Sequence, residues 1–258
     1  MSDPREVRRQ IRDGKWRRPT AGLAPGFVQT NLVILPRDLA FDFLLFSQRN
    51  PKPCPVIEVT DVGSPEPTAS APGADLRTDV PRYCVYRDGR LTQEVSDLRW
   101  VWRDDLVSFL LGCSFTFEAA LLQAGVPVRH IEEKKNVPMF ITSIACRPAG
   151  LFRGPLVVTL RPIPAALVAR AVQITGRYPG VHGSPVHIGD PAAIGIRDLG
   201  RPDFGEAVTI RPGEVPVFWA CGVTPQAVAM QARPPLMLTH APGHMFVTDL
   251  RNEELAAS

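Results

Sequence analysis

Two short stretches gather the residues best suited to acid–base chemistry. "VHGSPVHIGDP" (181–191) holds His182, His187 and Asp190, and "LTHAPGHMFVTD" (238–249) holds His240, His244 and Asp249. Four of the five histidines in the chain fall in these two Gly/Pro-rich knots. An imidazole titrates near neutral pH, so one or two of them facing a cleft would serve as general acid and base. The same residue types also bind metals. Zinc hydrolases, however, often carry two histidines one helical turn apart, and Pro242-Gly243 inside "HAPGH" forbids a regular helix. No metal and no other cofactor is expected. The structural alternative is that histidines in such turns simply bond backbone carbonyls. His240 and His244 are the acid–base candidates, because a Pro-Gly turn would present them rigidly. His182, His187, Asp190 and Asp249 are candidate substrate contacts.

A second constellation is "LLGCSFTFEAALLQAG" (110–125), where a Gly-Cys-Ser turn opens a helix. Helix N-termini expose unpaired N–H groups, which attract anions and lower the pKa of a cysteine. Cys113 is therefore a candidate nucleophile and Ser114 a candidate carboxylate contact, although a serine here would also serve as a plain helix cap. Asn31 is a lone polar residue in the strand of "AGLAPGFVQTNLVILP" (21–36), and Arg147 and Arg161 offer cations. "PVFWACGVTPQAV" (216–228) reads as a strand running into a helix, a junction where α/β proteins bind ligands. No GxGxxG or GxxxxGK[ST] pattern occurs, which argues against nucleotide binding.

The elements that must hold these residues follow from periodicity and breakers. Helices are expected at 4–14, 37–49, 104–111, 115–124, 164–176 and 225–231. Strands are expected at 27–35, 55–60, 138–144, 155–161, 207–210 and 215–220, with a hairpin at 82–87 and 91–96 turning on Asp88-Gly89. Residues 61–75 ("DVGSPEPTASAPGAD") read as a long surface loop that could cover a site. No repeated segment stands out. Helices interleaved with strands and a hairpin give an α/β class: a mixed sheet with flanking helices and a second, smaller α+β lobe, the two interlocked in a single domain over 1–258. The glycine-rich turns at 110–118, 181–190 and 238–249 are expected to line one cleft between them.

Composition narrows the function. The 258 residues include 27 prolines, about twice the usual share, spread along the chain. Net charge is +3, carried almost wholly by arginine. The basic residues of 5–18 alternate with acids and lack aromatic platforms, so nucleic acid is excluded as a partner. No run approaches the eighteen or so apolar residues of a membrane helix, and no signal peptide opens the chain. Five cysteines without a CxxC pair fit a reducing compartment, so a soluble cytoplasmic protein is expected. A small carboxylic or amino acid is the expected partner, and self-association into a homo-oligomer is left open.

Several strings then combine: "PTAGLAPGFVQTNLVILP", "LLGCSFTFEAALLQAG", "NVPMF", "CRPAG", "AVQITGRYPGVHGSPVHIGDP", "PVFWACGVTPQAV" and "THAPGHMFVTD". Together they resemble the D-glutamate cyclase family, whose members carry the provisional name hydro-lyase, and the resemblance runs from about residue 5 to residue 250. It implies dehydration of D-glutamate to 5-oxo-D-proline, without a redox cofactor. Mammalian relatives assigned this reaction carry a further C-terminal domain, which these 258 residues do not include. The resemblance assigns no residue roles; those above rest on chemistry. The alternative is a non-catalytic binding protein for a small amino or oxo acid, associated with oxoproline metabolism.

Overall fold

The structure is a computed structural model and describes residues 1–256. After helix α1 (Pro4–Arg12), strand β1 (Phe27–Pro36) runs through the middle of the chain's larger sheet, followed by α2 (Arg37–Arg49), β2 (Val56–Val59) and the hairpin β3 (Tyr83–Arg87) and β4 (Arg90–Val95). β5 (Leu106–Gly112), α3 (Phe115–Gln123) and α4 (Arg129–Glu132) lead into the smaller sheet. That sheet uses β6 (Met139–Ala145), β7 (Pro155–Pro164), α5 (Val168–Gly176), β8 (His187–Ile188) and β9 (Glu214–Ala220). Helix α6 (Thr224–Ala232), β10 (Met237–His240) and β11 (Phe246–Arg251) return to the larger one. The architecture is α/β, with a seven-stranded sheet in the order β2-β5-β1-β10-β3-β4, β11 also pairing β1, and a four-stranded sheet β6-β7-β9-β8. Every ladder is antiparallel. Among the described residues no helix is long and apolar enough to cross a membrane.

Local chemistry explains most element ends. Asp3 caps α1 by accepting from Arg5 N at 2.9 Å, with Pro4 in the first turn. The hairpin turns on Asp88 and Gly89, whose φ values of 49° and 76° are the left-handed pair that a two-residue hairpin loop demands. Two expectations fail. Residues 104–111 form no helix: 106–112 are a strand, buried at every position between β2 and β1. A short run buried on both faces shows no hydrophobic period, so neighbours on both edges decide it. Residues 207–210 form no strand; Thr209 is held by side chains instead, its N–H by Glu133 Oε1 and its carbonyl by Arg129.

The larger sheet is covered on both faces. Phe43 and Phe46 of α2 pack with Val33, Leu35, Phe109 and Phe152 on one side. On the other, Ala71, Ala74, Leu76, Leu98 and Val101 cover Leu32, Ile34, Leu110 and Leu238. Residues 61–75 therefore hold neither helix nor strand, yet part of them is a lid over hydrophobic core. Glu58 pins that segment by accepting from Ala69 N and Ser70 N at 2.9 and 2.8 Å.

The chain also contains an internal repeat that short stretches of sequence conceal. β1 pairs β5 with Thr30 opposite Gly112 and Pro36 opposite Leu106; β7 pairs β9 with Val158 opposite Ala220 and Pro164 opposite Glu214. On the other edge, Phe246 of "MFVT" opposes Thr30, and Phe140 of "MFIT" opposes Val158. Each of β5 and β9 ends in Cys-x-x-Thr before a helix. Cys113 Sγ accepts from Phe115 N and Cys221 Sγ from Val223 N, both at 3.5 Å. Thr116 Oγ1 accepts from Gln29 N, and Thr224 Oγ1 from Val157 N. The equivalent pairs Cys113/Cys221, Phe115/Val223 and Met139/Met245 meet in one cluster, as a local two-fold axis would bring them together. Thr248 and Thr142 are equivalent too: their hydroxyls donate to Val28 O at 2.8 Å and Leu156 O at 2.7 Å. Thr248→Val and Thr142→Val should each lower the unfolding free energy by about 1 kcal/mol, the net worth of one such bond. Urea titration checks this, and a neutral effect at one site with a large one at the other would show that the two bonds are not equivalent.

Candidate functional site

β10 and β11 behave as one strand along β1, interrupted by the loop 241–245: Thr239 opposes Val33, and the pairing resumes at Phe246 opposite Thr30. His240 sits at the break. Leu32 N–H, which lacks a strand carbonyl there, donates to His240 Nδ1 at 3.1 Å. Side chains alternate along a strand, so His240 lies on the face of Leu238, which packs with Leu32 and Tyr83. Its ring is fully buried, and burial pushes its pKa down to about 4. His240 repairs the ladder.

His244 sits in the loop itself and borders a cavity of about 340 Å³. Its Nδ1–H donates to Pro242 O at 3.1 Å, which leaves the lone pair on Nε2. Burial lowers its pKa from the ordinary value, with Arg82 adding to this; the backbones of Pro242 and Arg17, and Glu94, pull the other way. The imidazole is thus neutral and a base at pH 7. Gly243 (φ 82°) makes the turn that carries it and has no room for a side chain, since a Cβ there would stand 2.3 Å from Asn136 Oδ1.

The rest of the cavity comes from both lobes. Arg82, Cys84 and Tyr86 share one face of the β3 segment, and Leu91 and Glu94 join them from β4. Gln226 of α6 forms part of the lining: its Nε2 donates to His240 O at 2.8 Å, and its Oε1 accepts from Tyr86 O–H at 3.3 Å. The facing wall, Asn136 with Phe204 to Glu206, belongs to the smaller lobe. Asn136 Nδ2 donates to Pro242 O at 3.1 Å, and Glu206 Oε1 accepts from Asn136 N at 3.0 Å. Arg82 and Glu94 face each other at 3.4 Å. The cavity therefore combines a base, one guanidinium, two carboxylates, two amides and a phenol.

The other anticipated site residues are dispersed. Among the described residues that line this cavity none comes from 110–118 or 181–190. His182 is buried, has a left-handed φ of 83°, and donates from Nδ1 to Lys52 O at 2.6 Å; burial takes its pKa down to about 4. His187 donates to Asp190 O at 2.7 Å, while the Asp190 carboxylate caps a 3-10 turn through Ala192 N. Asp249 pairs with Arg8 at 3.0 Å beneath α1. Arg147 is exposed, with its backbone clasped by Asn50. Asn31 donates to Gly112 O at 2.7 Å and lies against Gly222.

Cys113 and Ser114 belong to a second, sealed arrangement. Burial raises the Cys113 thiol far above its usual pKa, so it stays protonated. Ser114 Oγ makes no helix cap and accepts from Arg161 Nη2 at 3.0 Å instead. Arg161 also donates to Thr159 at 2.9 Å and pairs with Glu118, which His130 approaches to 3.0 Å. Burial favours a neutral Glu118 carboxyl, but His130 and Arg161 outweigh it and hold the group below the usual carboxylate value. Among the described residues no group of three or more His, Cys, Asp and Glu side chains is arranged to hold a metal ion. Sequence reasoning missed Arg82, Glu94, Glu206, Asn136 and Gln226. One signal was available: Arg82, Cys84 and Tyr86 alternate along the expected strand 82–87, which puts them on one face.

A model of the D-glutamate cyclase family matches residues 107–249. A Thermoanaerobacter sp. (strain X514) protein is 66% identical over 253 residues, spanning 98% of this chain and 96% of its own. One from Stutzerimonas stutzeri (strain A1501) is 66% identical over 98% of this chain and 95% of its own, and one from Bacillus subtilis (strain 168) 62% identical over 98% of each. All three are provisionally named hydro-lyases. The chain belongs to the D-glutamate cyclase family.

The buried imidazoles make the stability of the fold depend on pH. His182 and His240 hold pKa values of about 4, below the ordinary 6.5 that they regain on unfolding, so the unfolded chain binds more protons between those values. Stability is complete above pH 6.5 and falls as the pH drops toward 4, by on the order of 3 kcal/mol for each ring. Urea unfolding at pH 7 and pH 4.5 should show this loss, and His182→Gln should show a smaller one. An equal loss in that variant would remove His182 as a source.

Proposed function

We propose that this chain is a carbon–oxygen hydro-lyase that closes a small amino dicarboxylic acid into its lactam, D-glutamate to 5-oxo-D-proline and water, at the cavity bordered by His244. The observation that carries the reading is a histidine that burial keeps neutral at pH 7, beside a guanidinium and two amides in a pocket of substrate size. The family match and the names of the relatives support the reaction class.

The chemistry asks little more of the protein. An α-ammonium nitrogen must lose a proton before it can attack the side-chain carboxyl carbon, and in this reading His244 takes it. The C–N bond forms, one C–O bond breaks, and two ammonium protons leave with that oxygen as water. The His244 imidazolium returns its proton to the departing oxygen. Gln226 Nε2 donates one proton to His240 O, and its second N–H is the donor offered to the oxygen on which negative charge develops. The Tyr86 hydroxyl gives its single proton to Gln226 Oε1 and so orients that amide. Burial keeps the Tyr86 phenol well above its usual pKa, so it stays protonated and holds its bond to Gln226.

His244→Ala should lower turnover by about a hundredfold or more, the usual worth of a positioned acid or base. His240→Ala should act through stability, because its ring satisfies Leu32 N–H. Incubating the pure protein with D- and L-glutamate and both oxoprolines, followed by chiral mass spectrometry, checks the reaction. Interconversion of none of the four, with binding retained, would leave a small-acid binding protein instead. In wild type, kcat/KM should fall on the acid side only below the ordinary histidine range of about 6.5, since the His244 pKa is lowered. A loss of activity beginning above pH 7.5 would exclude His244 as the base.

A further inference from the structure

We propose that Arg82 and Glu94 form the specificity pair of this cavity: Arg82 takes the α-carboxylate and Glu94 the α-ammonium, so the site selects a free amino acid over its lactam product. This rests on the reading of the cavity as the substrate site. Among the described residues that line it, Arg82 is the only cation. Its planar fork matches a carboxylate with two parallel hydrogen bonds. Two acids line the cavity, and geometry separates them. Glu206 is already engaged, accepting from Asn136 N at 3.0 Å. Glu94 has Arg82 as its partner, at 3.4 Å, with the side chains 48% and 46% exposed. A half-exposed pair of this kind contributes little to stability and opens readily. An α-amino acid presents the complementary pair of charges on one carbon, so binding exchanges one loose ion pair for two.

The hairpin fixes the spacing. Cys84 stands opposite Glu94 across the β3–β4 ladder, and Arg82 follows on the same face two residues along. Arg82 and Glu94 are half exposed whereas Tyr86, Gln226 and His244 are buried, so the two charged heads lie at the solvent side of the cavity and the other three line it further in. A substrate anchored by its α-carbon at this pair would extend its side chain toward the amides and the phenol. After ring closure the nitrogen is an uncharged amide. The product keeps Arg82 and loses Glu94, which favours its release.

Isothermal titration on the full chain at pH 7, with glutamate, glutarate (the same diacid without the amine) and 5-oxoproline, tests this. Where wild type turns glutamate over, the same titrations use the His244→Ala background. Glu94→Gln should weaken glutamate by about tenfold or more, the worth of a charged hydrogen bond, and leave glutarate and 5-oxoproline within about twofold. Arg82→Gln should weaken all three. Both side chains are half exposed, so melting temperatures should stay near wild type. If Glu94→Gln weakens glutarate as much as glutamate, or leaves glutamate unchanged, the pair is not the selector. Failure of wild type to bind any of the three would sink the reading of the cavity, and this inference with it.

Discussion

The backbone of β1 sets the terms for the rest of the molecule. A ten-residue strand buried at eight positions must find a partner for each inward N–H and C=O, because an orphan in the core costs about as much as a lost hydrogen bond. β5 satisfies one edge. The other edge is shared by β10 and β11, and between them one N–H, that of Leu32, would go unpaired without the His240 ring. The five residues that leave the strand there form the Pro-Gly loop, and that loop carries His244 to the cavity. The break in the ladder and the candidate site therefore have the same origin.

The internal repeat shows how one scaffold came to hold two different polar centres. Glu118 on α3 and Gln226 on α6 occupy equivalent places after Cys-x-x-Thr. Around Glu118 the position is closed by Arg161, His130 and Ser114, with Arg161 stacked near the rings of Phe117 and Trp219. Removing one partner would strand a buried charge, which is why such groups act as a unit. Arg161 comes from β7 of the smaller sheet and Glu118 from the helix that follows β5, so the unit also ties the lobes together. Around Gln226 the amide is neutral, its neighbours are Tyr86 and a backbone carbonyl, and space remains for a ligand.

The sequence by itself determined the local elements and the chemical inventory. Asp3-Pro4, Asn50-Pro51 and Asp88-Gly89 place their ends and turns because caps, proline and left-handed φ act over a few residues. The strings shared with the D-glutamate cyclase family were legible for the same reason: they are contiguous. The fold class followed from the order of elements. The apolar run 106–112 was not legible, since burial on both faces erases the period that tells strand from helix. Nor was the repeat, whose matching residues are four-letter fragments far apart in the chain.

What only the tertiary structure decided is which polar groups share a space. His240 and His244 are four residues apart and chemically alike, yet one repairs a ladder and the other borders a cavity, because a strand ends between them. Ser114, placed by the sequence at a helix start, was drawn away from capping by Arg161, a residue 47 positions later that pairing with β9 brought into the same core. Asp190 and Asp249 were drawn off to a turn and to Arg8. Arg82 and Glu94 became neighbours only when the hairpin closed and the loop at 136 and 204–206 formed the opposite wall. Residue type fixes what a side chain can do; the register of strands distant in sequence fixes what it meets.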